Sequence, residues 1–173
     1  MVPFDIKYEQ TLGSPFISFI ELSMINEHYN CKENCDPETS VQCEMGGFPH
    51  PRDCERCICP GGYAGDRCTE KVGKLQIGQH IEECSSESLP FQPTGCGEVI
   101  QASPEWTVLV DIVGPGKKNQ EDFSTCNYWI ESPNDTVIEV KLLGYSDGVS
   151  VDGCLYAGVE IKTNKDQTLT GYR

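Results

Sequence analysis

Cysteine and histidine are the residues in this chain whose chemistry could bind a metal or catalyse a reaction. The chain holds eleven cysteines and three histidines. The histidines are His28, His50 and His80, and each lies more than twenty residues from the next. Zinc hydrolases of one large class need two histidines and a glutamate base in the motif H-E-x-x-H, and none of the three belongs to such a motif. We therefore expect no catalytic residue, no metal site and no cofactor in this chain.

The cysteines are concentrated in one segment. Seven of the eleven fall between Cys31 and Cys68. This density indicates disulfide bonds in an oxidising compartment, because disulfides are rare in the cytosol. We therefore predict a secreted, extracellular protein. The odd number leaves at least one cysteine without a partner within the chain.

Charge and hydropathy exclude two kinds of partner. The chain has 13 basic and 27 acidic residues, for a formal net charge of -14, whereas a nucleic-acid binder needs a basic face. No apolar run approaches the ~20 residues that cross a bilayer. We expect neither a nucleic-acid partner nor a membrane span. The first ten residues also lack the pattern of a signal peptide, so we expect a fragment of a longer secreted protein.

One helix is indicated near the start of the chain. Ser18 and Glu21 form the capping-box pattern S-x-x-E, in which each side chain bonds a free backbone N–H at the helix start. Four large residues follow at helical spacing and predict one apolar face: Phe19, Leu22, Ile25 and Tyr29. Because most helix stability comes from packing, a helix this short must rest against another part of the protein.

Residues 35–68 are rich in turn residues, and six cysteines punctuate them. Burial alone does not hold so short a segment, because chains below about 40 residues usually need cross-links. Six cysteines allow 15 pairings, and the residues alone do not choose among them. The polar stretch 70–95 is interpreted as a linker.

From Cys96 onward the hydrophobic period changes to two. Apolar residues alternate with others at 106–113, 128–131, 137–142 and 159–162, and turn residues separate these runs. Alternating runs with turns between them predict an antiparallel β-sandwich. The expected fold class is mainly β, disulfide-rich and modular.

The spacing of the cysteines from 35 to 68 resembles an EGF-like module. Its end, from Cys57 to Cys68, reads C-x-C-x-x-G-Y-x-G-x-x-C. The glycines permit the positive-φ turns of a terminal hairpin, against which Tyr63 packs. The resemblance implies the disulfides Cys35–Cys54, Cys43–Cys57 and Cys59–Cys68.

Metal binding is the alternative for this segment. Cys54-x-x-Cys57 is also half of a zinc-knuckle pattern, but a structural zinc site usually needs a second pair at a distance. Calcium-binding EGF-like modules carry an acidic pair before the first cysteine. This chain has Lys32-Glu33-Asn34 there, so we expect no calcium.

Residues 96–173 resemble the start of a CUB domain. Cys96-Gly97 opens it, and the two later cysteine strands are matched by Cys126-Asn127-Tyr128-Trp129-Ile130 and Cys154-Leu155-Tyr156. The resemblance implies a Cys96–Cys126 disulfide and leaves Cys154 without a partner in this chain. Ala157 stands where calcium-binding CUB domains carry an aspartate, so calcium is not expected here either.

One modification motif lies in this C-terminal part. Asn134-Asp135-Thr136 matches the acceptor sequence for N-glycosylation and falls in a stretch of turn residues. A carbohydrate on Asn134 suits a secreted protein.

The first 31 residues resemble the end of an astacin-family zinc metalloprotease domain. The residues that carry this resemblance are Tyr8-x-x-Thr11-Leu12-Gly13-Ser14, Ile17-Ser18-Phe19 and Met24-Ile25-Asn26-Glu27-His28-Tyr29-Asn30-Cys31. It implies that Cys31 pairs with a cysteine in an earlier part of the protease and is unpaired here. Cys84 has no such explanation. The implied order is the end of an astacin domain (1–31), an EGF-like module (32–69), a linker (70–95) and a truncated CUB domain (96–173), as in nematode astacins.

Two functions are compatible with this order. The first is the non-catalytic C-terminal region of a secreted astacin-like zinc metalloendopeptidase, with zinc in the parent protease. Its EGF-like and CUB modules would recognise extracellular protein substrates or matrix proteins. The second is a stand-alone extracellular EGF–CUB adhesion protein. The capped helix ending in an unpaired Cys31 favours the first, because a stand-alone pair of modules has no use for that helix.

Overall fold

The structure, a computed structural model, describes residues 6, 9, 17–72, 97–114, 123–149 and 151–173. The α-helix and strands of the described residues are the helix α1 (Phe19–His28) and the strands β1 (Phe48–His50), β2 (Asp53–Ile58), β3 (Tyr63–Ala64), β4 (Glu70–Lys71), β5 (Val99–Gln101) and β6 (Trp129–Glu131). The described residues also contain 3₁₀ turns at Cys31–Asn34 and Asp152–Cys154. The strands pair as β1 with β2, β3 with β4, and β5 with β6. The chain forms two compact units, Met1–Glu70 with Lys141–Arg173, and Lys71–Val140.

The capping box predicted for the helix is confirmed. The Glu21 carboxylate accepts a hydrogen bond from the Ser18 backbone N–H at 2.7 Å, and the Ser18 hydroxyl accepts one from the Glu21 N–H at 3.4 Å. The bond from the Ser18 backbone is the main cause that lowers the pKa of Glu21. A carboxylate at this position also meets the positive end of the helix dipole. The start of α1 is therefore determined locally, by residues that are close in sequence.

The apolar face predicted for α1 is only partly covered. Phe19 and Leu22 are half-buried, whereas Ile25 and Tyr29 are 51% and 71% exposed. The helix thus rests on its surroundings through its first turns, and the second half of its apolar face is open to solvent in the described structure.

Disulfides and a few side chains form the interior of the segment that follows. β1 and β2 are antiparallel, with Phe48 opposite Ile58 and a register shift between Pro49 and His50. The side chains with the least exposure are those of Cys35, Phe48, Pro60 and Cys68. So small an apolar interior needs covalent cross-links to be stable.

The unit Lys71–Val140 contains a short parallel pair. β5 and β6 run parallel, with Val99 opposite Trp129 and Gln101 opposite Glu131. The Lys71 ammonium lies 4.7 Å from the centre of the Trp129 ring and 2.5 Å from the Glu131 carboxylate. Lys71 therefore holds β6 through a cation–π contact and an ion pair made by one side chain.

The described residues of 96–173 do not show the antiparallel sandwich expected from the alternating runs. In the described residues, 106–113 and 137–142 are in no strand, and Val110, Ile112 and Val137 are 80%, 87% and 95% exposed. The described part of 96–173 instead contains the parallel pair β5–β6 and an isolated antiparallel bridge between Ile161 and Tyr172. Alternation indicates side chains suited to a half-buried sheet. It does not supply the neighbouring strand that must accept the hydrogen bonds.

The segment 151–173 is tied to the disulfide segment of its own unit. The Lys162 ammonium donates hydrogen bonds to the Gly61 carbonyl at 3.2 Å and to the Gln167 carbonyl at 2.6 Å. Burial lowers the pKa of Lys162. Arg173 forms an ion pair with Glu160 at 2.9 Å. Among the described residues, no helix has the length and apolar character needed to cross a membrane.

Candidate functional site

The six cysteines from 35 to 68 form a compact disulfide core, which we define as residues 35–68. The bonds join Cys35 to Cys54, Cys43 to Cys57 and Cys59 to Cys68, with Cα–Cα distances of 5.5, 5.8 and 5.3 Å. These are the same three pairs that the EGF-like resemblance implies. The zinc alternative requires Cys54 and Cys57 as thiolates, and the structure places each in a different disulfide. The core is therefore a covalent scaffold and not a metal knuckle.

The turns of the disulfide core depend on glycine at two positions. Gly62 and Gly65 have φ values of 97° and 81°, a region that side chains with a Cβ rarely occupy. Between them Tyr63 is half-buried in β3. The Cys68 N–H bonds back to the Gly65 carbonyl at 3.2 Å. This turn brings Cys68 next to Cys59, and their disulfide closes the loop 59–68.

The helix α1 packs directly on the disulfide core. The ring centres of Phe19 and Phe48 lie 5.8 Å apart with the planes tilted by 44°. The Lys32 ammonium lies 4.8 Å from the centre of the Phe48 ring, 3.0 Å from the Ser23 hydroxyl and 2.9 Å from the Glu27 carboxylate. Lys32 thus contacts both the helix and the core.

The chain between α1 and the core is hydrogen-bonded at almost every step. Tyr29 and Asn30 donate to the Ile25 and Glu27 carbonyls at 3.1 and 3.0 Å. Glu33 and Cys35 donate to Asn30 and Lys32 at 3.1 and 3.3 Å. Asn30 has a left-handed backbone, with φ 54°, which ends the helix and reverses the chain. The connection is a folded turn, and the contacts of Lys32 lie directly above it.

The two histidines in the described residues, His28 and His50, make separate local contacts. The His28 ring meets the Tyr29 ring edge-on at 4.9 Å, and the His50 Nδ1 accepts a hydrogen bond from the Arg52 N–H at 3.2 Å. His80 lies outside the described residues. Within the described ranges, no three His, Cys, Asp or Glu side chains are grouped so that they could hold a metal ion.

The cysteines outside the core differ in state. Cys31 and Cys154 are free thiols of intermediate exposure. Cys126 is disulfide-bonded. Its expected partner Cys96 lies outside the described residues, as does Cys84.

Asn134 lies in an exposed turn. Asp135 adopts a left-handed backbone with φ 63°, and the Thr136 hydroxyl donates to the Pro133 carbonyl at 2.6 Å. Both Asn134 and Thr136 are exposed, so the acceptor sequence is open to solvent.

The contact between Phe19, Lys32 and Phe48 was not found by sequence reasoning. The helical spacing places Phe19 on an apolar face but does not indicate what packs against it. Phe48 stands in a proline- and glycine-rich stretch without hydrophobic periodicity, and no sequence pattern connects Lys32 with either ring. The sequence does contain one signal for this contact. A capped helix that needs a packing partner is followed by a disulfide segment with an aromatic residue, Phe48, directly before Pro49.

Comparison with known proteins indicates the family context. The chain is 41% identical over 174 residues to zinc metalloproteinase nas-31 of Caenorhabditis elegans, matching all of this chain and 25% of that protein. It is 34% identical over 172 residues to zinc metalloproteinase nas-23 of the same organism, matching 98% of this chain and 28% of that protein. This chain is similar to one part of these zinc metalloproteinases. Zinc metalloproteinase nas-25 is 29% identical over 178 residues, and there the match covers 39% of the relative.

The chain therefore spans about a quarter to two fifths of the length of these zinc metalloproteinases. No family model matches the chain. No solved structure matches it either.

Proposed function

We propose that this chain is the non-catalytic C-terminal region of a secreted astacin-like zinc metalloendopeptidase, and that it recognises protein substrates or partners. The observation that carries the proposal is the similarity to zinc metalloproteinases along the entire chain, over a limited share of their length. Peptide-bond hydrolysis in this proposal belongs to another part of the longer protein. The described residues of this chain contain no group that could hold the zinc.

The module assignment is part of the same proposal. In it, 1–31 ends the protease domain, 32–69 is an EGF-like module, 70–95 is a linker and 96–173 is a CUB domain. The three disulfides of the core support the EGF-like assignment, and they suit an oxidising extracellular compartment. The proposed partners are extracellular proteins, either substrates of the protease or components of the matrix.

The test of this function compares two proteins on the same substrate. The purified chain 1–173 is expected to leave casein intact in the presence of added zinc, because it supplies no zinc site in its described residues. The longer protein that contains it is expected to digest casein, and a chelator is expected to stop the digestion. Chelator-sensitive digestion by the chain alone would refute its non-catalytic role. A longer protein without H-E-x-x-H and without activity would favour the stand-alone EGF–CUB adhesion protein.

Asn134 is proposed as an N-glycosylation site of this secreted protein. The exposed turn around it supports the proposal, since a folded-in side chain would be closed to modification. Expression through a eukaryotic secretory pathway is expected to give a product whose gel mobility rises after treatment with an endoglycosidase that removes N-glycans. Asn134→Gln is expected to abolish this shift, while Asp135→Asn, which preserves the acceptor sequence, is expected to retain it. An unchanged mobility of the original chain would show that Asn134 is not used.

A further inference from the structure

The most informative unexplained contact in the described structure joins α1 to the disulfide core. It uses one aromatic residue from each side, Phe19 and Phe48, whose rings pack together. One cation, Lys32, lies over the Phe48 ring of the core and donates a hydrogen bond to Ser23 of the helix. Phe48 is only 6% exposed and begins the short strand β1. Because the Phe48 ring is buried in the core, its position is fixed. Phe19, which packs against it, is therefore held in place relative to the core.

We infer that Phe19, Lys32 and Phe48 form a rigid joint that holds the disulfide core at a fixed orientation to α1, so that the core positions long protein substrates. The inference rests on the proposed function, because it takes α1 to be part of the protease body. It adds to that function a positioning role for three named residues and a substrate class, protein chains long enough to reach the core.

Two independent features support rigidity. The first is the backbone, in which hydrogen bonds connect Ile25 to Cys35 without an open linker. The second is the side-chain contact above that turn, where Lys32 is bound on three sides by Phe48, Ser23 and Glu27. An exposed ion pair such as Lys32–Glu27 contributes little by itself. Here the Lys32 ammonium also lies over the Phe48 ring. The packing of Phe19 on Phe48 adds apolar contact between α1 and the core, and this contact opposes rotation of one relative to the other.

The direct test of the joint uses residual dipolar couplings from the isotopically labelled chain 1–173 in a weakly aligning medium. Backbone couplings from α1 and from β1–β2 are expected to fit one alignment tensor. Phe19→Ala removes the ring contact from the helix side and leaves every residue of the core in place. In the Phe19→Ala variant, the couplings of α1 and those of β1–β2 are expected to require separate alignment tensors. Ile25→Ala is the matched control, because it truncates an exposed side chain of the same helix.

Lys32→Met provides a second variant, which keeps an unbranched apolar stem and removes the ammonium. It is expected to give an intermediate loss of common alignment while the chemical shifts of α1 remain helical. The joint is refuted if the original chain already needs two tensors. It is also refuted if Phe19→Ala and Lys32→Met both behave like Ile25→Ala.

The positioning role is tested in the longer protein with two substrates, a protein and a short peptide that spans only the cleavage site. In Phe19→Ala and Lys32→Met the ratio of kcat/KM for the protein to kcat/KM for the peptide is expected to fall about tenfold, since misplacing a substrate by ~1 Å can cost even more. An unchanged ratio refutes the positioning role. If the longer protein cleaves neither substrate, the proposed function fails, and the alignment measurement still decides whether the joint exists.

Discussion

Replacing Cys59 and Cys68 together by alanine is expected to unfold the disulfide core of this chain at ambient temperature. Removing the bond releases the loop between these cysteines in the unfolded state, which for a loop of this size costs roughly 3 kcal/mol. Cys68 is fully buried, with 0% exposure, so the change also removes packing in the centre of the core. The total stability of a domain is only about 5–15 kcal/mol, and a segment this small lies at the low end.

The loss is measured by amide hydrogen exchange in β1 and β2, where protection is expected to disappear. The matched control is Cys31→Ser, because Cys31 is a free thiol that takes part in no disulfide. The control is expected to keep full protection. Equal protection in the double variant and in the control would show that non-covalent packing holds the core without this disulfide.

Gly47→Ala is expected to destabilise the same core by about 1–3 kcal/mol, the usual cost of overpacking a closed site. A methyl group at this position would lie 2.7 Å from the Cys68 sulfur and 2.9 Å from the Ile58 carbonyl oxygen. Neither neighbour can withdraw easily, because the sulfur is in a disulfide and the carbonyl belongs to β2. The backbone of Gly47 has no positive φ, so the effect comes from space and not from backbone conformation.

Gly144→Ala is the control for this substitution. It makes the same chemical change where no atom lies within 4 Å of the new methyl group, and it is expected to be neutral or slightly stabilising, by up to ~1 kcal/mol. Urea unfolding followed by amide hydrogen exchange in β1 and β2 would report the difference. If the urea midpoint of Gly47→Ala equalled that of Gly144→Ala, the core would be shown to accommodate the added methyl group without loss of stability.

Local features of this fold were accessible from the sequence and long-range ones were not. The capping box of α1 involves Ser18 and Glu21, which are three residues apart, so its chemistry can be read directly. The disulfide pairs were implied by a family resemblance, since spacing alone leaves all pairings open. The contact of Phe19 with Phe48 joins a periodic helix to a segment without period, and no pattern connects them.

The expected sandwich illustrates a different limit. Trp106, Val110 and Ile112 have the alternation of a strand, yet all three are well exposed in the described structure. The free energy of a strand lies in its cross-strand pairs and the layer behind it. Alternation describes the side chains of one strand only. It therefore predicts a segment suited to a sheet, but not the neighbouring strand with which that segment pairs.

The scarcity of buried apolar side chains in the disulfide core has a thermodynamic consequence. Its least exposed side chains are two half-cystines, one phenylalanine and one proline. Unfolding such a core exposes little apolar surface, and the heat capacity change of unfolding depends mainly on that surface. The stability curve of the core is therefore flat with temperature, and its slope against denaturant is shallow. Cooling therefore weakens this core less than it weakens a core built on apolar burial, and reduction of the disulfides removes the cross-links on which so small an apolar interior depends.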